Sequence, residues 1–168
     1  MLEIGAKAAW VPHDEYEIKP YIAEHYPQLF QNANAKIIAT TPERSFWEKI
    51  TILHAEAHRP EGSLIRERYS RHYYDTVMIA NSYVKQKTFN DLLLLKNVAE
   101  FKDKFYNAGW ANYKNAKPGT IKLLPPQHSL PELHRDYLKM ESMIYKQNMS
   151  FDDILKSLAQ LEEEINNL

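Results

Sequence analysis

The sequence predicts a mainly α-helical protein, a bundle of about five helices behind a small N-terminal strand remnant. Three observations predict it. Only four glycines occur in 168 residues, and Leu, Ala, Lys and Glu are plentiful, a mix that favours helices over tight-turned β architecture. A clear helix start stands at Thr41-Pro42-Glu43. From there on, apolar residues recur at helical spacing.

Taken in order, Leu2 to Gly5 is short, apolar and ends at glycine, so it reads as a strand in want of a partner sheet. Trp10 to Pro20 reads as a polar loop with two prolines. Tyr21 to Phe30 reads as a short helix or irregular segment broken by Pro27, and Lys36 to Thr40 as a second strand. The first main helix is expected over about Pro42 to His58. Thr41 suits its N-cap, Pro42 its first position and Glu43 its positive end, with Phe46, Ile50, Leu53 and Ala57 as its apolar stripe. Arg59-Pro60-Glu61-Gly62 ends it. A second helix is expected over about Arg68 to Tyr83, with Tyr69, Tyr73, Val77 and Ala80 facing inward. Thr88 is read as the cap of a third, over about Phe89 to Tyr106. Asn107 to Pro131 reads as a long connection holding a strand candidate at Ile121 to Leu124. A fourth helix follows over Pro131 to Tyr145. Ser150 caps a fifth, with Asp153 completing a capping-box analogue and Ile154, Leu158, Leu161 and Ile165 as its stripe. The domain boundary is set at residue 41, giving a strand-bearing segment 1–41 and a helical domain 42–168.

A formal net charge of -1 excludes the global basic field of a dedicated nucleic-acid binder, so any such contact must be local. The absence of cysteine excludes disulfides and thiolate metal sites. The first ten residues lack the pattern of a signal peptide, and the longest apolar run, Leu92 to Leu95, is far too short to span a bilayer. A cytoplasmic protein with no membrane contact is expected.

Lys49 lies beside the apolar stripe, three residues after Phe46 and four before Leu53, which half-buries its stem. Such a lysine can aim one ammonium at a phosphate, or can snorkel to solvent. His54 and His58, four apart, share a helix face and could grip a metal with Asp75 as a third ligand. No glutamate follows His54, so the zinc-protease pattern is absent, and a structural histidine pair is the alternative. Arg71 and Asp75 could pair along their own helix. Asp75 could instead face Lys49 across two helices and orient it, or accept a proton from an attacking hydroxyl. Lys102, Lys104, Lys114, Lys117 and Lys122 interleave with Phe101, Phe105, Tyr106, Trp110 and Tyr113. That pattern suits RNA backbone and exposed bases, or else a solvated helix face followed by a packed loop.

The segments Arg44-Ser45-Phe46-Trp47-Glu48-Lys49, Leu53-His54-Ala55-Glu56-Ala57-His58-Arg59-Pro60 and Arg68-Tyr69-Ser70-Arg71-His72-Tyr73-Tyr74-Asp75 together resemble the nucleotidyltransferase-like AbiEii/AbiGii toxin family of the polymerase-β-like superfamily. The likeness extends through Glu100-Phe101-Lys102, Lys117-Pro118-Gly119-Thr120 and Pro125-Pro126 to the final helix. The resemblance implies an α+β whole, a small mixed sheet followed by a helical region, with residues 1–41 as the remnant of that sheet. It implies transfer of a nucleotide from a nucleoside triphosphate with Mg²⁺ to an acceptor such as RNA, in toxins of toxin–antitoxin pairs linked to abortive infection. By the same resemblance Lys49 contacts the triphosphate, Asp75 is the late active-site aspartate, and Glu3 falls where a metal-side carboxylate is often found; Arg71, His54 and His58 stand beside Lys49 as further candidate nucleotide-binding residues. The family's main signature, a Gly-Ser or Gly-Gly turn followed by Asp-x-Asp on a strand, does not occur: Gly62-Ser63 is followed by no such pair, and Asp152-Asp153 opens a helix. Two carboxylates one residue apart on a strand point the same way and hold the metal that bridges the phosphates. The chain is therefore expected to correspond to the latter part of the family and to be inactive by itself. The alternative is a non-catalytic helical module that binds an antitoxin or associates with its own copies.

Overall fold

A computed structural model describes residues 11–106, 108–144 and 149–168. The strand expected at Leu2 to Gly5 and the candidate metal-side Glu3 lie outside the described residues. Among the described residues the fold is mainly α, with one small two-stranded antiparallel sheet, and the chain divides into two compact units, the first ending at Thr41 and the second spanning Pro42–Leu168.

In the first unit, strand β1 (His13–Ile18) pairs with β2 (Ala35–Thr40), from His13 opposite Thr40 to Ile18 opposite Ala35. Between them stand helix α1 (Tyr21–His25) and a 3-10 turn at Pro27–Leu29. The polar stretch expected to be a loop is thus partly a strand. The alternation in His13-Asp14-Glu15-Tyr16-Glu17-Ile18 is too polar to signal one, and its partner strand supplies what composition does not; Lys36 pairs with Glu15 across the ladder at 2.8 Å.

The second unit is built from α2 (Pro42–Glu56), α3 (Arg71–Ala80), α4 (Val84–Phe89), α5 (Leu92–Phe105), α6 (Leu130–Met140) and α7 (Phe151–Asn166). Its core takes Phe46, Trp47, Ile50 and Leu53 from α2, Tyr73 and Val77 from α3, Leu95 and Val98 from α5, and Leu133 and Tyr137 from α6. From α7 it takes Ile154, Leu158, Leu161 and Ile165, the four residues of the expected stripe. Burying side chains of this size contributes about 1.5–3 kcal/mol each, which is what fixes the rotation of each helix about its axis.

Two sequence expectations need correction here. Thr88 does not cap the third main helix: its hydroxyl donates to the Val84 carbonyl at 2.7 Å inside the short α4, and Asp91 caps α5 by accepting the Leu94 N–H at 3.0 Å. Ile121 to Leu124 is not a strand, because among the described residues no strand runs beside it. Ile121 and Leu123 are buried and Lys122 and Leu124 exposed, as in a strand, but the segment lies along α7, where side chains replace the missing ladder. Asn166 both accepts the Ile121 N–H and donates to the Ile121 carbonyl at 2.9 Å, and Glu162 accepts the Leu123 N–H. The Ser150 cap forms as expected, its Oγ accepting the Asp153 N–H at 3.1 Å and donating to the Asp153 carboxylate at 2.7 Å.

Candidate functional site

Helix α2 is pinned by Phe46, Trp47, Ile50 and Leu53, all fully buried. Lys49 sits at the edge of that buried stripe, its side chain 22% exposed, so the stem is packed and the ammonium emerges at one place. The partner helix is anchored from a distance. Asp136 on α6 accepts the Arg68 N–H at 2.6 Å, the Ser70 N–H at 2.8 Å and the Ser70 hydroxyl at 2.6 Å, just where the chain turns into α3. Partial burial opposes the charge on Asp136, but these three donors outweigh it and hold its carboxyl below the usual range. With its start fixed there and Tyr73 and Val77 buried, α3 turns His72 and Asp75, three residues apart on one helical face, toward Lys49.

The Lys49 ammonium donates to Asp75 Oδ2 at 2.6 Å and to His72 Nδ1 at 3.1 Å. Nδ1 must therefore accept, which places the imidazole proton on Nε2. Burial first, and then the neighbouring Lys49 and Arg71 charges, push His72 down to about 4, so the ring is neutral at physiological pH and can accept. The Tyr69 ring meets the His72 ring edge-on at 4.8 Å and holds its plane. Two of the three ammonium hydrogens of Lys49 are thus committed, and the third points away from both partners. Asp75 is 37% exposed and uses Oδ2 on Lys49. Arg71 is exposed at the rim, and among the described residues it forms no ion pair with Asp75; the pairing within α3 gives way to the pairing between helices.

His54 and His58 are brought together with each other and not with Asp75. Five residues beyond Lys49, about 140° around the helix, His54 is fully buried. Its Nε2–H donates to the Asn112 carbonyl and its Nδ1 accepts the Lys122 N–H, each at 3.1 Å. His58 Nδ1–H donates to the His54 carbonyl at 2.7 Å, and its Nε2 accepts from the Asn112 amide at 3.0 Å. Asn112 serves both rings because it adopts a left-handed conformation, φ 53°, that asparagine tolerates well. Every ring nitrogen of the pair is occupied from within the chain, and burial holds His54 near 4, so the expected metal or phosphate role has no lone pair or donor to work with. Among the described residues, no group of three His, Cys, Asp or Glu side chains is arranged to hold a metal ion.

The lysine and aromatic residues of 101–122 do not make one strip. Lys102 and Lys104 lie over the Tyr106 and Phe105 rings at 4.8 and 5.3 Å. Trp110 instead stacks under Arg59, whose guanidinium sits 4.6 Å from its ring and pairs with buried Glu56 through two bonds of 2.6 and 2.7 Å. Tyr113 is buried, and desolvation pushes its hydroxyl up to about 12. Lys114 and Lys117 line a separate groove of about 460 Å³ against α5. Sequence reasoning did not assign His72, though its spacing of three from Asp75 was the available signal.

A family model described as nucleotidyl transferase AbiEii toxin, type IV toxin–antitoxin system, matches residues 1–157. The chain belongs to the AbiEii toxin family. Comparison with curated proteins and with solved structures gives no match. Nucleotidyl transfer of the AbiEii kind implies a nucleoside triphosphate and a divalent metal. The described residues do not fit the metal: Asp75 is engaged by Lys49, and no group of three His, Cys, Asp or Glu side chains that could hold a metal ion occurs among them. Among the described residues, no helix is long and apolar enough to cross a membrane.

Proposed function

We propose that this AbiEii chain carries the phosphate-binding side of a nucleotidyltransferase toxin, with Lys49 as the contact to a nucleoside triphosphate. The observation that carries the reading is the Lys49 ammonium held by Asp75 at 2.6 Å and His72 at 3.1 Å with one N–H left over. A half-buried ammonium oriented by two fixed acceptors presents a single donor in a set direction, which is what recognition of a phosphate oxygen needs. Asp75 has two roles open to it through its two oxygens: Oδ2 orients Lys49, and Oδ1 accepts a proton from an acceptor hydroxyl, such as that of an RNA end. Arg71, one residue before His72, adds charge at the rim. The 168 residues hold no Asp-x-Asp pair, so the chain by itself is read as binding a triphosphate without transferring it. The protein partner of this reading is an antitoxin, and the compartment is the cytoplasm.

Calorimetric titration with ATP, GTP, CTP and UTP, each with Mg²⁺, tests it. At least one should bind, and Lys49→Ala should weaken that binding at least tenfold. No binding by any of the four would remove the reading. It would leave the second one, a helical module that binds an antitoxin or its own copies, which the lack of a metal-holding cluster among the described residues favours.

A further inference from the structure

The face that carries Lys49 holds a second ammonium that the pairing with Asp75 does not explain. Lys102, near the end of α5, is half-buried, its Nζ 4.8 Å above the Tyr106 ring. None of the ion pairs among the described residues includes it. The groups around it come from three helices. From α2, Arg44 and Lys49 repel it and Glu48 attracts it; from α3, His72 feels its charge; on α5 itself, Tyr106 lies beneath it. Glu48, the nearest carboxylate in effect, is already taken by Arg44 at 3.0 Å, and Arg44 in turn is held near the Phe101 ring at 6.0 Å. Asp75 is taken by Lys49. Arg44, Lys49 and Lys102 therefore share this face with two carboxylates, which pair with Arg44 and Lys49 and leave Lys102 without one, and the neutral His72 offers no compensation. Withdrawing an ammonium from water beside like charges is costly, and desolvation pushes Lys102 below the ordinary lysine range. An arrangement of that kind is stabilised by an anion from outside the chain.

We propose that Lys102 is a second phosphate-binding residue of the Lys49 site, so that the α2–α3–α5 face takes an anion carrying at least two adjacent phosphoryl groups. The proposal rests on the Lys49 reading and deepens it. Lys49 provides one directed N–H. Lys102, with all three of its hydrogens uncommitted to any carboxylate, provides the second charge. A single phosphate monoester satisfies one of them, and a polyphosphate tail spans both.

Inorganic tripolyphosphate, without a base or a metal, is the probe. The chain is titrated with it by calorimetry at several salt concentrations, beside Lys102→Met, Lys102→Arg and Lys49→Ala. Lys102→Met should bind about tenfold more weakly and with a shallower salt dependence, and Lys102→Arg should stay within about threefold of the parent. Without anion, Lys102→Met should melt at or above the parent temperature, and it should lose most of the rise in melting temperature that tripolyphosphate gives the parent. Should the methionine variant fold poorly, Lys102→Gln repeats the comparison. Parent-like affinity in Lys102→Met, together with lost binding in Lys49→Ala, would overturn this inference and leave the Lys49 reading standing. Binding of nucleoside triphosphates without any binding of tripolyphosphate would overturn it as well, since recognition would then reside in the base. Failure to bind either ligand would remove both.

Discussion

Helix α2 carries two polar clusters on different sides, and both contain a cationic or imidazole group held by two partners. Around His54 and His58, every ring nitrogen meets a donor or acceptor from the chain, and the cluster is closed under Asn112. Around Lys49, two acceptors hold an ammonium that has three hydrogens, the carboxylate is more than a third exposed, and a second lysine stands nearby without a carboxylate. The first cluster is complete within the chain, and in the second one hydrogen of the Lys49 ammonium is left over. Hydrogen-bonding capacity left over at a fixed direction, rather than residue type or spacing, separates a site that acts on something from a site that holds the fold together.

The sharpest way to break this contrast is to truncate one residue on each side. His54→Ala removes a fully buried ring and leaves the Asn112 carbonyl and the Lys122 amide without partners. We expect a loss of about 3–5 kcal/mol in urea unfolding, with triphosphate affinity of the folded fraction within twofold of the parent. Lys49→Ala should do the opposite, changing stability by about 1 kcal/mol or less while abolishing triphosphate binding. Equal stability losses in the two variants would erase the distinction.

Acid should reveal what the two clusters share. His54 and His72 are both held neutral, near 4, by burial, whereas in the unfolded chain each protonates near its ordinary value of 6.5. Between those values the unfolded state binds more protons, so stability is fully present above about pH 6.5 and falls as pH drops toward 4, on the order of 3 kcal/mol for each ring. Unfolding midpoints measured across that range should decline, and His54→Gln should flatten the decline by about half. A pH-independent midpoint would mean that neither ring is buried neutral.

Asp136→Ala sharpens the contrast from a distance. Losing one acceptor for three donors should cost about 2 kcal/mol of stability, and because Asp136 fixes the start of α3, it should also weaken triphosphate binding severalfold without touching Lys49. The smallest effect is expected from a double-mutant cycle of Lys49→Met with Asp75→Asn. The pair is partly exposed, so its coupling in stability should be about 0.5–1 kcal/mol. A coupling of several kcal/mol would make it a structural pair like Glu56 and Arg59 and not the arm of a site.

The clusters were unequally legible in the sequence. The half-buried position of Lys49 follows from Phe46 and Leu53 on either side of it, because that placement is local to one helix. That Asp75 would cross to Lys49 rather than pair with Arg71 is a matter of helix packing, which spacing within α3 leaves open. The histidine pair was visible as two rings on one face, but its meaning lies 58 residues away in Asn112, whose left-handed backbone no periodicity announces. Thr88 and Asp91 are both good caps by type. The choice falls to Asp91 because the Thr88 hydroxyl turns inward on α4, and only tertiary burial decides that. In Ile121 to Leu124 the alternation was plain and the conclusion of a strand still failed, since alternation reports a half-buried extended chain and says nothing of whether its neighbour is a strand or a helix.

The Asp136 staple also has a meaning in time. It joins α6 to the start of α3 across 66 residues of chain. During synthesis α2 and α3 emerge first, and at about 5–20 residues per second the ribosome delivers Asp136 several seconds later. Until then the turn into α3 has no carboxylate to close on, and Lys49 waits opposite a helix whose start is not held. For a member of a toxin family the order matters: Lys49, His72 and Asp75 are made early, but they are set in place only when α6 has been made and has docked.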